Sequence, residues 1–272
     1  MSLSFAARWA LRAAMALGLV FIYVPLLLVL VNSFNGDRTF GWPPHDFTMR
    51  WWSSAWDNAG ARDALLTSVK AGLGATAVAL VLGTMVAFAV QRFRFFGRDT
   101  LSLLIVLPIA LPGIVTGIAL DSAWRSVIEP LGIGKGLFSV IVGHATFCVV
   151  TVYNNVLARL RRTGVSLEEA SADLGASPAQ TFRYVTFPLI RSALLAGGLL
   201  AFALSFDEII VTTFTAGNQN TLPIFILKEL SRPHDRPVTN VAAVMVMVIT
   251  FGPILLAYYL TRETQDVAGS GK

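Results

Sequence analysis

The sequence predicts an all-α integral membrane protein with six spanning helices. Three observations predict it: the composition, six long apolar runs, and the placement of basic residues between those runs. The 272 residues are 55% hydrophobic and 14% charged, with a mean hydropathy of +0.66, whereas a soluble domain carries about 25% charged residues. A single cysteine, Cys148, excludes an internal disulfide and a cysteine-based metal cluster. The net charge of +5 does not indicate nucleic acid binding, because the basic residues sit beside apolar runs rather than on one soluble face.

A spanning helix needs ~20 residues at ~1.5 Å each, and the runs at 13–34, 65–90, 101–120, 137–157, 193–216 and 238–260 meet that length. The first is too long for a signal-peptide core and has no small-residue cleavage site after it, so it reads as a retained span behind a short segment, 1–12. The second carries Lys70 near its start, where the side chain can snorkel outward. In the third, Pro108 and Pro112 either break the helix beside a cavity or kink a buried helix. The fourth holds His144, read as a hydrogen-bonded packing residue, Cys148, read as a small core residue, and Asn154 and Asn155, read as interhelical hydrogen-bonding groups. The fifth contains adjacent acids, Asp207 and Glu208. The sixth is followed by a tail, 261–272, leaving one membrane domain at 13–260 and no separate soluble domain. Trp42, Trp51, Trp52 and Trp56, all in the first long loop, fit an interfacial belt.

Charge sets the orientation. The N-terminus, loops 91–100 and 158–192 and the tail together hold 12 Lys/Arg and 6 Asp/Glu, against 8 of each in loops 35–64, 121–136 and 217–237. The positive-inside rule places the first set in the cytoplasm, with both termini there.

Loop 158–192 is the longest cytoplasmic segment and carries the densest local signals. Arg159, Arg161 and Arg162 mark the inner membrane surface. Ser166 and Glu169 have capping-box spacing, and Leu167, Ala170, Ser171 and Leu174 share a helical face. Gly175 stops that helix. Ser177, Pro178 and Gln180 then read as an N-cap, a first helical residue and a second capping box, and Pro188 interrupts or kinks the second helix near Phe187. A helix of two turns is marginal alone in water. The first helix is therefore expected to dock on a partner and to present Glu168, Glu169 and Asp173 to it or to water. On these residues alone, a solvated loop tidied by its caps reads equally well.

The segment resembles the EAA motif of ABC importer permeases. Glu169, Ala170, Gly175 and Pro188 match that pattern, while Ser171, Val185 and Phe187 depart from it by small or apolar exchanges. NSFN at 32–35, PIALPGIVTGIAL at 108–120, GHATFCVV at 143–150 and LSFDEIIVTTFTAG at 204–217 extend the resemblance to the polyamine branch over nearly the whole chain. The resemblance implies a type I ABC importer permease fold, with a short cytoplasmic coupling helix between spans 4 and 5. It implies that Glu169, Ala170 and Gly175 contact a cytoplasmic ATPase dimer carrying ATP and Mg. Glu168, Asp173 and Pro188 complete the candidate coupling set. The further partners it implies are a periplasmic binding protein that delivers putrescine or spermidine and a second, different permease, all at a bacterial inner membrane. The same architecture could instead import an opine, ferric ion or another small solute.

Asp207 and Glu208 admit two readings. An ionised acid at mid-membrane costs about 2.5–3.5 kcal/mol on insertion scales, so such residues face a cavity or a partner. Carboxylates on the route would offset the lost hydration of a polyamine. Alternatively, one or both acids pair structurally or cap a break.

No GxxxxGK[ST] loop occurs; GIGKG at 132–136 has the wrong spacing. HExxH, GxSxG and metal-cluster patterns are also missing from the sequence. The chain is therefore expected to hold no catalytic residue, metal or cofactor of its own. An ion-gradient-driven secondary transporter is the rival class; inverted repeats would favour it, and none is visible.

Overall fold

The computed structural model describes residues 4–37, 42–230, 238–252 and 255. Among these, every named element is a helix, and an isolated bridge joins Asn35 to Phe47. In order they are α1 (Phe5–Asn32), α2 (Arg50–Asp57), α3 (Ala59–Arg92), α4 (Arg98–Ala110), α5 (Gly113–Ala123), α6 (Leu137–Arg162), α7 (Ser166–Asp173), α8 (Pro178–Thr181), α9 (Phe187–Phe206), α10 (Ile210–Thr215), α11 (Leu222–Leu230) and α12 (Val238–Gly252). The expected all-α class is the class found.

Four helices are long and apolar enough to cross a membrane: Phe5–Asn32, Ala59–Arg92, Leu137–Arg162 and Pro178–Phe206. They correspond to the first, second, fourth and fifth expected runs. The third is not one straight helix. α4 and the helical stretch from α5 to Leu131 meet at a bend of 105°. Pro112 lacks an N–H and holds the preceding residue out of helical geometry, so Leu111 is extended (φ −80°, ψ 142°) and Pro112 caps α5. Pro108 stays inside α4. For the sixth run, α12 covers 238–252; residues 253, 254 and 256–260, with the tail 261–272, lie outside the described residues.

The fifth run differs at both ends. Its helix begins at Pro178, and α8 passes through a wide π-turn, Phe182–Thr186, straight into α9. Pro188 therefore does not interrupt it. A proline ring clashes with the carbonyl four residues back, here Tyr184, and the wider turn loosens the ladder at that point. At the other end α9 stops at Phe206 rather than running to 216.

The chain forms two compact units. In the one made of residues 1–62 and 225–248, Trp51 and Ala55 pack with Val238 and Val241, and the Trp51 indole donates to Asn35 O at 2.7 Å. Trp52 stacks on Phe34 with ring centroids 5.4 Å apart. These two tryptophans serve the interior of this unit rather than a belt, whereas Trp42 and Trp56 are exposed.

The other unit, residues 63–224 and 249–272, is built on close helix contacts. Ala71, Ala75, Ala79, Gly83 and Ala87 recur every four residues along α3 and are all buried. Side chains this small let backbones approach, the device membrane helices use where apolar burial supplies no driving force. Tyr153, Val156 and Leu160 of α6 and Ile190 and Ala201 of α9 complete that core.

Candidate functional site

The sequence-predicted site residues of this unit fall in two places: α7 with its flanking turn, and the break between α9 and α10.

The backbone enters α7 already helical, with Val165 at φ −67° and ψ −22°, so the Glu168 and Glu169 N–H groups donate to Val165 O. Ser166 is therefore the first helical residue and makes no cap bond, so the expected Ser166–Glu169 capping box does not form. The second box does: Gln180 N donates to Ser177 Oγ at 3.4 Å, and Ser177 N donates to Gln180 Oε1 at 2.8 Å. Between the helices Gly175 takes φ +84°, a left-handed conformation that a Cβ disfavours. The Ser171 and Thr181 hydroxyls hydrogen-bond at 3.0 Å and close α7 onto α8.

The apolar residues of α7 face outward. Leu167 is 52% exposed, and Leu174, which caps the helix, 89%. Glu169, Ala170 and Asp173 are also exposed. Glu168 is not the exposed acid the sequence suggests: its Oε1 lies 2.8 Å from Arg92 Nη2 and accepts from Thr186 Oγ1 at 3.0 Å. Arg92 is the residue sequence reasoning missed. Its signal was its position, as the last residue of a spanning helix and the first arginine of the 91–100 loop. Arg159 Nε also reaches across, donating to Leu189 O at 2.8 Å.

Asp207 and Glu208 lie at the non-helical break after α9, not within one helix. Asp207 is exposed. Glu208 turns back, its Oε1 accepting from Val211 N at 2.9 Å at the start of α10. Beneath the break, His144 is fully buried between two hydroxyls, with Nδ1 2.7 Å from Ser205 Oγ and Nε2 2.8 Å from Thr212 Oγ1. Thr212 Oγ1 spends its proton on Glu208 O at 2.6 Å, so it accepts from His144. The ring therefore carries its proton on Nε2, and Nδ1 accepts from Ser205. His144 is thus the packing residue expected, and it ties α6, α9 and α10 together. Asn155, expected to bond across helices, instead donates to Thr151 O in its own helix at 2.9 Å, while Cys148 Sγ reaches Ala201 O in α9 at 3.3 Å.

Lys135 of the GIGKG stretch is ion-paired with Asp121, which Arg125 also contacts at 2.9 Å. Among the described residues no group of three or more His, Cys, Asp or Glu side chains is placed to hold a metal.

Helices long and apolar enough to cross a membrane, with the polar α7 between two of them, are the pattern of a membrane-spanning protein. Residues 79–265 match the family described as "Binding-protein-dependent transport system inner membrane component", and the chain belongs to that family. It is 30% identical to the putrescine transport system permease protein PotI of Escherichia coli (strain K12) over 257 residues, covering 92% of this chain and 89% of that protein. It is also 30% identical to the spermidine/putrescine transport system permease protein PotC of Haemophilus influenzae (strain ATCC 51907 / DSM 11121 / KW20 / Rd) over 258 residues, covering 94% and 98%. Its fold matches a chain of a bacterial ABC transporter involved in the import of the acidic polysaccharide alginate, with TM-score 0.67 and 17% identity, over 97% of this chain and 99% of that one. A chain of the MetNI methionine ABC transporter matches at TM-score 0.58 and 16% identity, over 75% and 94%.

Proposed function

We propose that this chain forms half of the translocation pathway for a polyamine such as putrescine or spermidine. In this reading α7 docks on a cytoplasmic ATPase dimer through Glu169, Ala170, Asp173 and Gly175, with Pro188 at the start of α9 completing the set. A periplasmic binding protein delivers the cargo, and a second, different permease supplies the other half. The excess of basic residues in the loops on one side supports a cytoplasmic location for both termini.

The observation that carries the docking reading is the outward apolar face of α7, with Leu167 and Leu174 uncovered beside exposed acids. A two-turn helix with such a face needs a partner surface. Closure of the ATPase pair on ATP would shift α7, and the unbroken helix Pro178–Phe206 would carry the shift inward. Its 29 residues span ~43 Å at ~1.5 Å each. Asp207 follows at the far end. The names of the polyamine relatives support the cargo, and the exposed carboxylate of Asp207 suits a cation losing its hydration. Glu208, committed to capping α10, supports the break that presents Asp207.

Co-purification of the ATPase with this permease tests the docking reading. Glu169→Lys should cut recovery of the ATPase sharply. Undiminished recovery together with undiminished transport would overturn it.

A further inference from the structure

We propose that Arg92 is a positioning residue that ties α3 to α7, so that movement of α7 reaches two spanning helices rather than one. The proposal rests on the reading that α7 is the ATPase-facing helix, and it adds a second route out of that helix.

Glu168 Oε1 receives two donors from different elements. Arg92 Nη2 reaches it from the end of α3 at 2.8 Å, and the Thr186 hydroxyl reaches it from the π-turn ahead of α9 at 3.0 Å. The junction is largely withdrawn from water: the Arg92 and Glu168 side chains are 11% and 21% exposed, and Thr186 is buried. The Nε and Nη1 groups of Arg92 are buried without a hydrogen-bond partner among the described residues. Glu168 is thus the anion that holds a desolvated guanidinium, and the pair resists separation because neither charge is well solvated alone.

This gives the two neighbouring glutamates opposite tasks. Glu169 points outward, where a partner can meet it, while Glu168 points inward and anchors the same turn to the membrane helices. The first route from α7 runs through Gly175 and α8 into α9. The second runs through Glu168 and Arg92 into α3. Both routes end on α6, because residues of α3 and α9 share one buried core with Cys148, Val152, Tyr153 and Val156. α7, α3 and α9 are thereby held to move as one body.

The test uses the complete transporter in proteoliposomes, with ATP hydrolysis and labelled putrescine uptake measured on the same samples. Arg92→Gln and Glu168→Gln should still co-purify with the ATPase and hydrolyse ATP. Each should lower putrescine carried per ATP by about tenfold, within the range of ordinary coupling energies. The exchanged pair, Arg92→Glu with Glu168→Arg, should restore much of that ratio. Single variants that assemble and keep the wild-type ratio would overturn the proposal. So would an exchanged pair that assembles but stays uncoupled, or loss of assembly in every variant, exchanged pair included, since the pair would then serve folding alone. Glu169→Lys separates the two ideas. If it leaves ATPase recovery and transport intact, the docking reading fails. If it abolishes recovery while the Arg92 and Glu168 variants stay coupled, only the Arg92 proposal fails.

Discussion

His144 Nε2 donates to Thr212 Oγ1 across 2.8 Å, and the same threonine donates to Glu208 O across 2.6 Å. A ring in one spanning helix is thereby joined to the backbone at the break that bears Asp207. The threonine has a single proton, so the direction of both bonds is fixed, and with it the imidazole tautomer. Ser205 supplies the other contact from the last turn of α9. The break is a built feature with its own polar support, not a frayed helix end.

Replacing His144 with Ala removes both bonds and leaves a gap in which Ser205 loses its partner, while Thr212 keeps its bond to Glu208 O. Each buried polar group left unpaired costs about 1–3 kcal/mol. The purified permease should show a clear drop in Tm, and transport should fall with it as the break loosens. Differential scanning fluorimetry in detergent measures the first effect.

The close approach of α3 to α6 gives a second prediction. A methyl group at Gly83 would lie 2.9 Å from Val149 O and 3.0 Å from Val152 Cβ, with backbone rather than a flexible side-chain tip in the way. Gly83→Ala should therefore push the helices apart and destabilise the protein by about 1–3 kcal/mol. Gly18→Ala in α1, where nothing lies within 4 Å, is the control and should leave Tm unchanged. Thermal unfolding of the two variants side by side checks this.

Gly175→Ala tests the turn between α7 and α8. The φ of +84° at this position costs an L-residue about 1–2 kcal/mol. Space is not the difficulty, since nothing lies within 4 Å of the added carbon. The strain should instead re-aim α7. ATPase co-purification is expected to fall more than the Tm of the permease alone.

The two acids at the break should separate by phenotype. Asp207→Asn should raise the KM for polyamine uptake with little change in Tm. Glu208→Gln keeps an oxygen that can accept from Val211 N and should be mild, whereas Glu208→Ala removes that bond, should cost about 1 kcal/mol of stability and so should lower Tm. Uptake kinetics and thermal unfolding on these three variants and the wild type would show the division.

How far the sequence reveals this structure differs from element to element. The Ser177–Pro178–Gln180 start of α8 was legible because capping is local chemistry, and both its bonds form. Ser166 carries the same spacing but makes no cap bond, because the backbone is already helical at Val165. Pro112 marks a possible break in the sequence, but the bend of 105° is not encoded in hydropathy, which scores both halves alike. Pro188 marks a distortion at the expected place, but the distortion is a π-turn at Phe182–Thr186 rather than an interruption, a choice no local rule foresees. Arg92 escaped notice because its partner, Glu168, lies 76 residues away in the chain. Pairings of that range are set by packing, and no periodicity encodes them. The split of Asp207 from Glu208 follows from the end of α9 at Phe206, within a run that stays apolar on both sides.

The most direct test of the central claim is ATP-dependent uptake of labelled putrescine and spermidine into proteoliposomes holding the complete transporter, with Glu169→Lys as the uncoupled control. Uptake should require ATP and the binding protein, persist when ion gradients are dissipated, and be lost in the control. An assembled, ATP-hydrolysing transporter that moves neither polyamine would contradict the assigned cargo, and uptake undiminished in Glu169→Lys would contradict the role given to α7.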